Sequence, residues 1–289
     1  MADSAVVPDH EAPPPHLLRE TVVRPTSGWR ALNLGELLFY RDLLMFLVWR
    51  DLKVRYQQTI LGGAWAIIQP LATMIVFTFV FGKLAKLPSD GIPYPLFSFT
   101  ALVIWTYFSQ AISGAVGSLI GNTQLIEKVY FPRLILPIAA AVRGLADLAV
   151  AFGFLLLVLA FYGVWPTWKA VFVIPFTLLA IIATLGIGSG LAAINVRFRD
   201  VRQMMPLLVQ LWLFATPVAY PSSMAPADLR PLLGLNPMTG VVEGYRWALL
   251  GTTPFPLDLV VMSTASALVM LVIGLFVFRR IESSFADII

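Results

Sequence analysis

Six stretches of this chain run for twenty residues or more without an Asp, Glu, Lys or Arg: 56–82, 91–126, 148–168, 170–196, 203–227 and 259–278. A helix needs about 20 mostly apolar residues to cross the hydrocarbon of a bilayer. In that medium the backbone must satisfy its own hydrogen bonds, which helices do within one segment. Composition points the same way. Only 12% of the 289 residues are charged and 58% are hydrophobic, against about 25% charged in a typical soluble domain. The mean hydropathy is +0.82. The expectation is an all-α integral membrane protein with six transmembrane helices. The gaps 231–242 and 247–257 are also free of charge but too short to span. In the second run, Pro93 and Pro95 predict a loop before a helix that starts near Leu96.

Six spans put both termini on one side, and the excess of Lys and Arg in cytoplasmic segments selects which side. With the termini in the cytoplasm, 15 basic residues fall inside and 5 outside. The inside set includes Arg50, Lys53, Arg55, Lys128, Arg133, Arg143, Arg197, Arg199, Arg202, Arg279 and Arg280. The outside set is Lys83, Lys86, Lys169, Arg230 and Arg246. The bias survives removal of the N-terminal arm. The two halves of the chain show no repeat, which argues against the inverted repeats of many secondary transporters.

Three organisational regions follow. Residues 1–30 are rich in Pro and charge and read as a disordered arm; they lack the basic start and apolar core of a signal peptide. Residues 31–55 read as a cytoplasmic interface helix region. Residues 56–289 read as the six-span domain. The interface region holds the apolar run LLMFLVW, which ends at Trp49 and is too short to cross, followed by Arg50, Asp51, Lys53, Arg55 and Tyr56. An apolar half followed by a charged half suits a helix lying at the membrane surface. Asp51 and Arg55 stand four apart and can pair along it. Arg143 and Asp147 have the same spacing at the start of the third span. Ionisable groups there are costly unless paired, and a local ion pair competes with a transport role. The segment NVRFRDVRQ, 195–203, reads mainly as a basic anchor beside anionic headgroups.

Two loops carry candidate contacts. EKVYFPRLILP, starting at Glu127, places Glu127, Lys128, Tyr130, Phe131 and Arg133 between spans two and three. It is a plain turn or a docking surface for a soluble partner, where aromatic and charged side chains combine. Between spans five and six lie six prolines from Pro221 to Pro256. There the apolar stretch is broken by Asn236, Pro237 and Gly240. Two short half-helices dipping into the outer leaflet fit it, and broken backbone at that depth must be buried in protein or line a watery cavity. Glu243 and Arg246, three apart, can pair on one of them.

Aromatic residues are frequent in the spans. Most serve interface belts and lipid packing. A sharper reading makes Trp65, Phe77, Trp105, Tyr107, Phe108 and Trp212 a candidate polymer path, since sugar rings lay their C–H faces on aromatic rings. Several chemistries are excluded. The chain has no cysteine and only two histidines, His10 and His16, so thiolate and histidine metal sites in the membrane are absent. It has no GxxxxGK[ST] phosphate loop, no GxSxG elbow and no paired carboxylates along the spans. Uphill transport by such a chain draws its energy from a partner or an ion gradient. No feature points to nucleic acid.

WRDLKVRYQQTILGGAWAIIQP, EKVYFPRLILP, NVRFRDVRQ, the P-V-A-Y of TPVAYPSSM, LNPMTGVVEGYRWALLG and the closing FRRIESSFADII occur in this order over about residues 36–289. Together they resemble the membrane subunits of polysaccharide ABC exporters, the type-2 family serving O antigen, capsule and teichoic acid. The resemblance implies a homodimer in the bacterial inner membrane, with each subunit docked to a separate cytoplasmic ATPase. The ATPase binds ATP and Mg, and this chain binds no cofactor. It implies that the helix around Trp49–Tyr56 and the loop Glu127–Arg133 meet the ATPase. It also implies short gate helices over about 226–256. A polymer on an undecaprenyl-pyrophosphate lipid would pass between the subunits, with arginines near the cytoplasmic mouth as its pyrophosphate contacts. The alternatives are a permease of the same type for a smaller lipid or drug, or a membrane enzyme such as an acyltransferase. The lack of histidine beyond residue 16 removes a histidine dyad from the last.

Overall fold

The computed structural model describes residues 34–57, 62–226, 228–251, 254–282 and 285. The N-terminal arm expected at 1–30 lies outside the described residues. All regular structure among the described residues is helical. In chain order the helices are α1 (Leu34–Phe39), α2 (Arg41–Gln57), α3 (Trp65–Phe77), α4 (Tyr94–Gly117), α5 (Thr123–Lys128), α6 (Ile135–Phe161), α7 (Val173–Arg197), α8 (Asp200–Ala215), α9 (Arg230–Gly234), α10 (Pro237–Leu250) and α11 (Leu257–Glu282).

Among the described residues five continuous helical stretches are long and apolar enough to cross a membrane: Gly62–Leu84, Tyr94–Gly117, Ile135–Phe161, Trp168–Arg197 and Leu257–Glu282. The first joins α3 to wider π-helical turns over Thr78–Leu84. The run at 203–227 behaves differently. Its helix, α8, has 16 residues, about 24 Å at 1.5 Å per residue, and gives way at Thr216 to extended backbone ahead of Pro217. The third long helix also departs from the sequence estimate. It begins at Ile135 rather than near 148, so Arg143 and Asp147 lie well inside it. Charge counting misplaced its start because both charges find partners on another helix.

α4 is the centre of the bundle. In its most apolar stretch 78% of residues are buried, against 17% in the first and last long helices. It packs against α3, α6, α7, α8 and α10. Phe97, Phe99, Leu102, Ile104, Phe108 and Ile112 are fully enclosed on it. The closest pair is α7 with α11, and small residues explain it. A Cβ on Gly186 would stand 2.6 Å from the backbone nitrogen of Leu271, and one on Gly190 would stand 3.1 Å from Cα of Gly274. Without a hydrophobic drive between helices in lipid, such glycine contacts let backbones meet and gain dispersion.

The long helices alternate between two ends. One end gathers α2, the segment 118–134, residues 198–202 and the close of α11: Arg50 reaches Asn122, Tyr40 reaches the Tyr130 carbonyl, and Arg133 reaches the Glu282 carbonyl. The other end gathers residues 85–94, 162–172, 216–236 and α10. There the Tyr94 hydroxyl donates to the Ala219 carbonyl at 2.6 Å, and Ser223 donates to Asp90 at 2.9 Å. α8 starts at the first end and finishes at the second.

Candidate functional site

The charges read from the sequence as two local pairs exchange partners. Asp51 and Arg55 do not pair along α2, and Arg143 and Asp147 do not pair along α6. Instead Arg55 Nη1 lies 2.8 Å from Asp147 Oδ2, and Arg143 Nη1 lies 3.6 Å from Asp51 Oδ2. The two helices run in the same direction there, so an i,i+4 spacing on each lets every charge be met across the gap. Asp51 also takes Arg50 Nε and Nη2 at 3.0 and 2.8 Å. The Tyr56 hydroxyl donates to Asp147 Oδ1. Burial first, and then the hydrogen bond and charge of Asp147, push the Tyr56 phenol up to about 12.

This joint continues into the bundle. Arg55 Nη2 donates to Gln110 Oε1 at 3.1 Å, and Gln110 Nε2 donates to Gln69 Oε1 at 2.9 Å. A polar line therefore links α2 through α4 to the first long helix. Sequence reading missed Asn122, Gln110 and Gln69. The signal available was their amide type inside apolar runs, where an unpartnered amide is expensive.

The remaining residues of the α2 end sort by exposure. Trp49, Lys53, Glu127, Lys128 and Tyr130 are exposed, while Phe131 is buried. Glu127 and Lys128 close α5. Arg133 donates to the Glu282 carbonyl at 2.8 Å and its guanidinium carbon lies 5.6 Å from the Phe285 ring centre. The loop Glu127–Arg133 is thus braced by the end of the chain and offers its charged and aromatic tip outward.

At the opposite end every residue of α10 is buried. The helix is broken from α9 at Leu235 and Asn236. Gly240, expected as a third break, lies inside α10, where its N–H donates to Ser263 Oγ at 2.9 Å. Asn236 caps α10 by accepting from Met238 N at 3.0 Å, with Pro237 in the first turn, where no N–H is needed. Asn236 also accepts from Trp212 Nε1 at 2.9 Å and donates to Thr216 Oγ1 at 2.8 Å, tying the close of α8 to the start of α10. Gly251, at φ 67°, ends the helix in the left-handed region.

Glu243 and Arg246 pair at 3.0 Å as expected, with side chains 7% and 3% exposed. Arg246 does more. Nη1 donates to the Pro217 carbonyl at 2.6 Å and Nη2 to the Val218 carbonyl at 2.8 Å. Its guanidinium carbon stands 3.5 Å over the Phe97 ring centre. Ser222 N donates to Glu243 Oε1 at 3.3 Å. The pair satisfies the irregular backbone that follows α8, whose buried carbonyls have no helix to bond them.

The aromatic residues are not brought together on an open face. Phe77, Trp105, Tyr107 and Phe108 are buried in the core. Phe108 meets Trp212 edge to face at 5.2 Å, Trp212 is half-buried, and Trp65 is 50% exposed. The least covered side of α4 carries Thr106, Ser109, Gln110 and Ser113 instead, of which Ser113 is exposed. No group of acidic residues that could hold a metal occurs among the described residues.

Comparison with known proteins matches residues 42–250 to the ABC-2 type transporter family. The chain is 36% identical over 214 residues to the O-antigen export system permease protein RfbA of Myxococcus xanthus, covering 73% of this chain and 81% of that one. It is 27% identical over 258 residues to the protein of the same name from Klebsiella pneumoniae, covering 89% and 97%. It is 25% identical over 241 residues to the polysialic acid transport protein KpsM of Escherichia coli, covering 81% and 92%.

Proposed function

The chain belongs to the ABC-2 type transporter family, and we propose that it is the permease subunit of an ATP-driven exporter that moves a lipid-linked, O-antigen-like polysaccharide out of the cytoplasm. The observation that carries this reading is the similarity to O-antigen export permeases over most of both chains. Two copies form the pathway, each docked to a cytoplasmic ATPase that binds ATP and Mg. The α2 end faces the cytoplasm with both termini, in the inner membrane. α8 is the short fifth of six spans, because it runs from one end to the other although it is shorter than a bilayer core. α9 and α10 form the outer gate, held by Asn236, Pro237, Glu243 and Arg246.

α2 and the loop Glu127–Arg133 receive the ATPase. Movement of α2 reaches α6 through Asp51 and Arg55, and the first span through Gln110 and Gln69. The polymer follows this least covered hydroxyl and amide face of α4, with Trp65 and Trp212 as stacking surfaces. Polar groups on such a face meet water or sugar more readily than lipid.

A strain lacking this permease and carrying it on a plasmid tests the reading. The wild-type chain restores long surface polysaccharide, while Glu127→Lys with Lys128→Glu inserts normally and restores little. Full restoration by that double variant would remove the docking role. Unchanged polysaccharide in the deletion strain would point to a smaller cargo. The chain has no cysteine, so single-cysteine labelling reads orientation directly: Tyr130→Cys is protected in intact cells and Ser223→Cys is labelled.

A further inference from the structure

A cavity of about 250 Å³ opens at the α2 end, between α2, α4 and α6 and beside the start of α8. That is room for several waters or a small anion. Arg50, Arg143 and Arg202 line it, with Asp51, Ser113 and Asn122. Three arginines and one carboxylate share its wall.

Their hydrogen bonding is incomplete. Arg50 uses Nε and Nη2 on Asp51 and Asn122. Arg143 has only the 3.6 Å ion pair with Asp51, and its Nε is buried with no hydrogen-bond partner. The Arg202 side chain is exposed, and only its backbone N–H is bonded, to Asn195 Oδ1 at 3.2 Å. Gly114 keeps the wall thin beside this group, since a Cβ there would stand 2.9 Å from Arg143 Nη2. Guanidiniums with unused N–H groups, two of them partly enclosed and one at the mouth, match the oxygens of a phosphate, which accept forked hydrogen bonds.

We propose that this cavity is a phosphate-anion site, in which one bound anion bridges Arg50 of α2, Arg143 of α6 and Arg202 of α8. The anion fastens α2 to the bundle. The phosphate comes from a lipid headgroup of the inner leaflet or from a soluble diphosphate. The site rests on the proposed function only in placing this end at the cytoplasmic membrane surface.

The test uses the full chain in nanodiscs, without ATPase or export. One arm adds inorganic pyrophosphate to discs of phosphatidylcholine alone. The other replaces a third of the lipid with phosphatidylglycerol and adds no phosphate. The readouts are the melting temperature and amide-exchange protection of α2. Pyrophosphate stabilises the wild-type chain if the source is soluble, and phosphatidylglycerol does so if it is a headgroup. Arg202→Gln, at an exposed side chain with no partner to lose, weakens the stabilising probe about tenfold, as loss of a charge-assisted hydrogen bond does. Arg143→Gln with Arg202→Gln abolishes the effect. The proposal is overturned if neither probe shifts the wild-type chain, or if Arg202→Gln responds as the wild type does. Because no export is measured, either failure leaves the transport reading standing.

Discussion

The protein holds its two ends with ion pairs of opposite design. At the α10 end Glu243 and Arg246 are neighbours in sequence, almost wholly buried, and bonded to backbone that has no helix to satisfy it. At the α2 end Arg55 and Asp147 are distant in sequence, 35% and 9% exposed, and bonded to other side chains. The first pair fixes an irregular chain in one shape. The second links two complete helices that need no help to remain helical. A buried pair with all its partners is rigid because any opening strands charge in a dry place. A pair with only its carboxylate buried opens at lower cost, because water reaches the part-exposed arginine when the contact breaks. The contrast assigns rigidity to the α10 end and freedom of movement to the α2 end.

The sharpest way to break this contrast is Arg246→Ala. It strands Glu243 and the carbonyls of Pro217 and Val218, at a cost of about 3–5 kcal/mol. Little folded protein is then expected by fluorescence size-exclusion chromatography. Arg246→Lys rescues poorly, because an ammonium lacks the fork that reaches two carbonyls at once. A well-folded Arg246→Ala protein would show the node to be dispensable.

A smaller effect tests the exchange of partners at the α2 end. Arg143→Asp with Asp147→Arg keeps opposite charges four apart on α6 but sets like charges against α2. It should loosen α2 to limited proteolysis and lose about 1–3 kcal/mol, the usual scale of coupled neighbours. Adding Asp51→Arg and Arg55→Asp restores the cross-helix matches and much of the protection. If the α6 double variant protects α2 as well as wild type, the cross-helix pairs contribute nothing.

The smallest effect is at Tyr56. Tyr56→Phe removes one hydrogen bond to Asp147, about 1 kcal/mol, and thermal melting reads it. The phenol titrates at 10.0 when free and at about 12 here. A raised folded value means that its contribution is complete below pH 10 and fades between pH 10 and 12. Alkaline melts of wild type and Tyr56→Phe should therefore converge in that window. A constant gap between the two curves would argue that the fold does not hold the phenol protonated beyond its free range.

Much of this was legible in the sequence. Long charge-free runs predicted the helices, and five of them are long enough to cross a bilayer. Asn236 and Pro237 marked the break before α10, because an N-cap residue and a proline at the first helical position have local reasons to be there. The Glu243–Arg246 pair was legible because its spacing is within one helical turn. Less legible were the start of α6, hidden by two charges, and the end of α8, which no charge marks. The aromatic residues misled most, since Trp105, Tyr107 and Phe108 suit a sugar surface as well as a packed core. Sequence periodicity does not say which side of α4 its neighbours cover.

By itself the sequence determined that the chain is helical and membrane-embedded, which segments are apolar, where basic residues collect, and to which family it is similar. Those properties are local, because hydrophobicity, capping and charge act over a few residues. Only the tertiary structure decided which charges meet. Asp51 with Arg55 and Arg143 with Asp147 satisfy the helix spacing as well as the pairs that form. Packing α2 beside α6 in the same direction selects the cross-helix pairs, and that selection turns two self-contained helices into one joint.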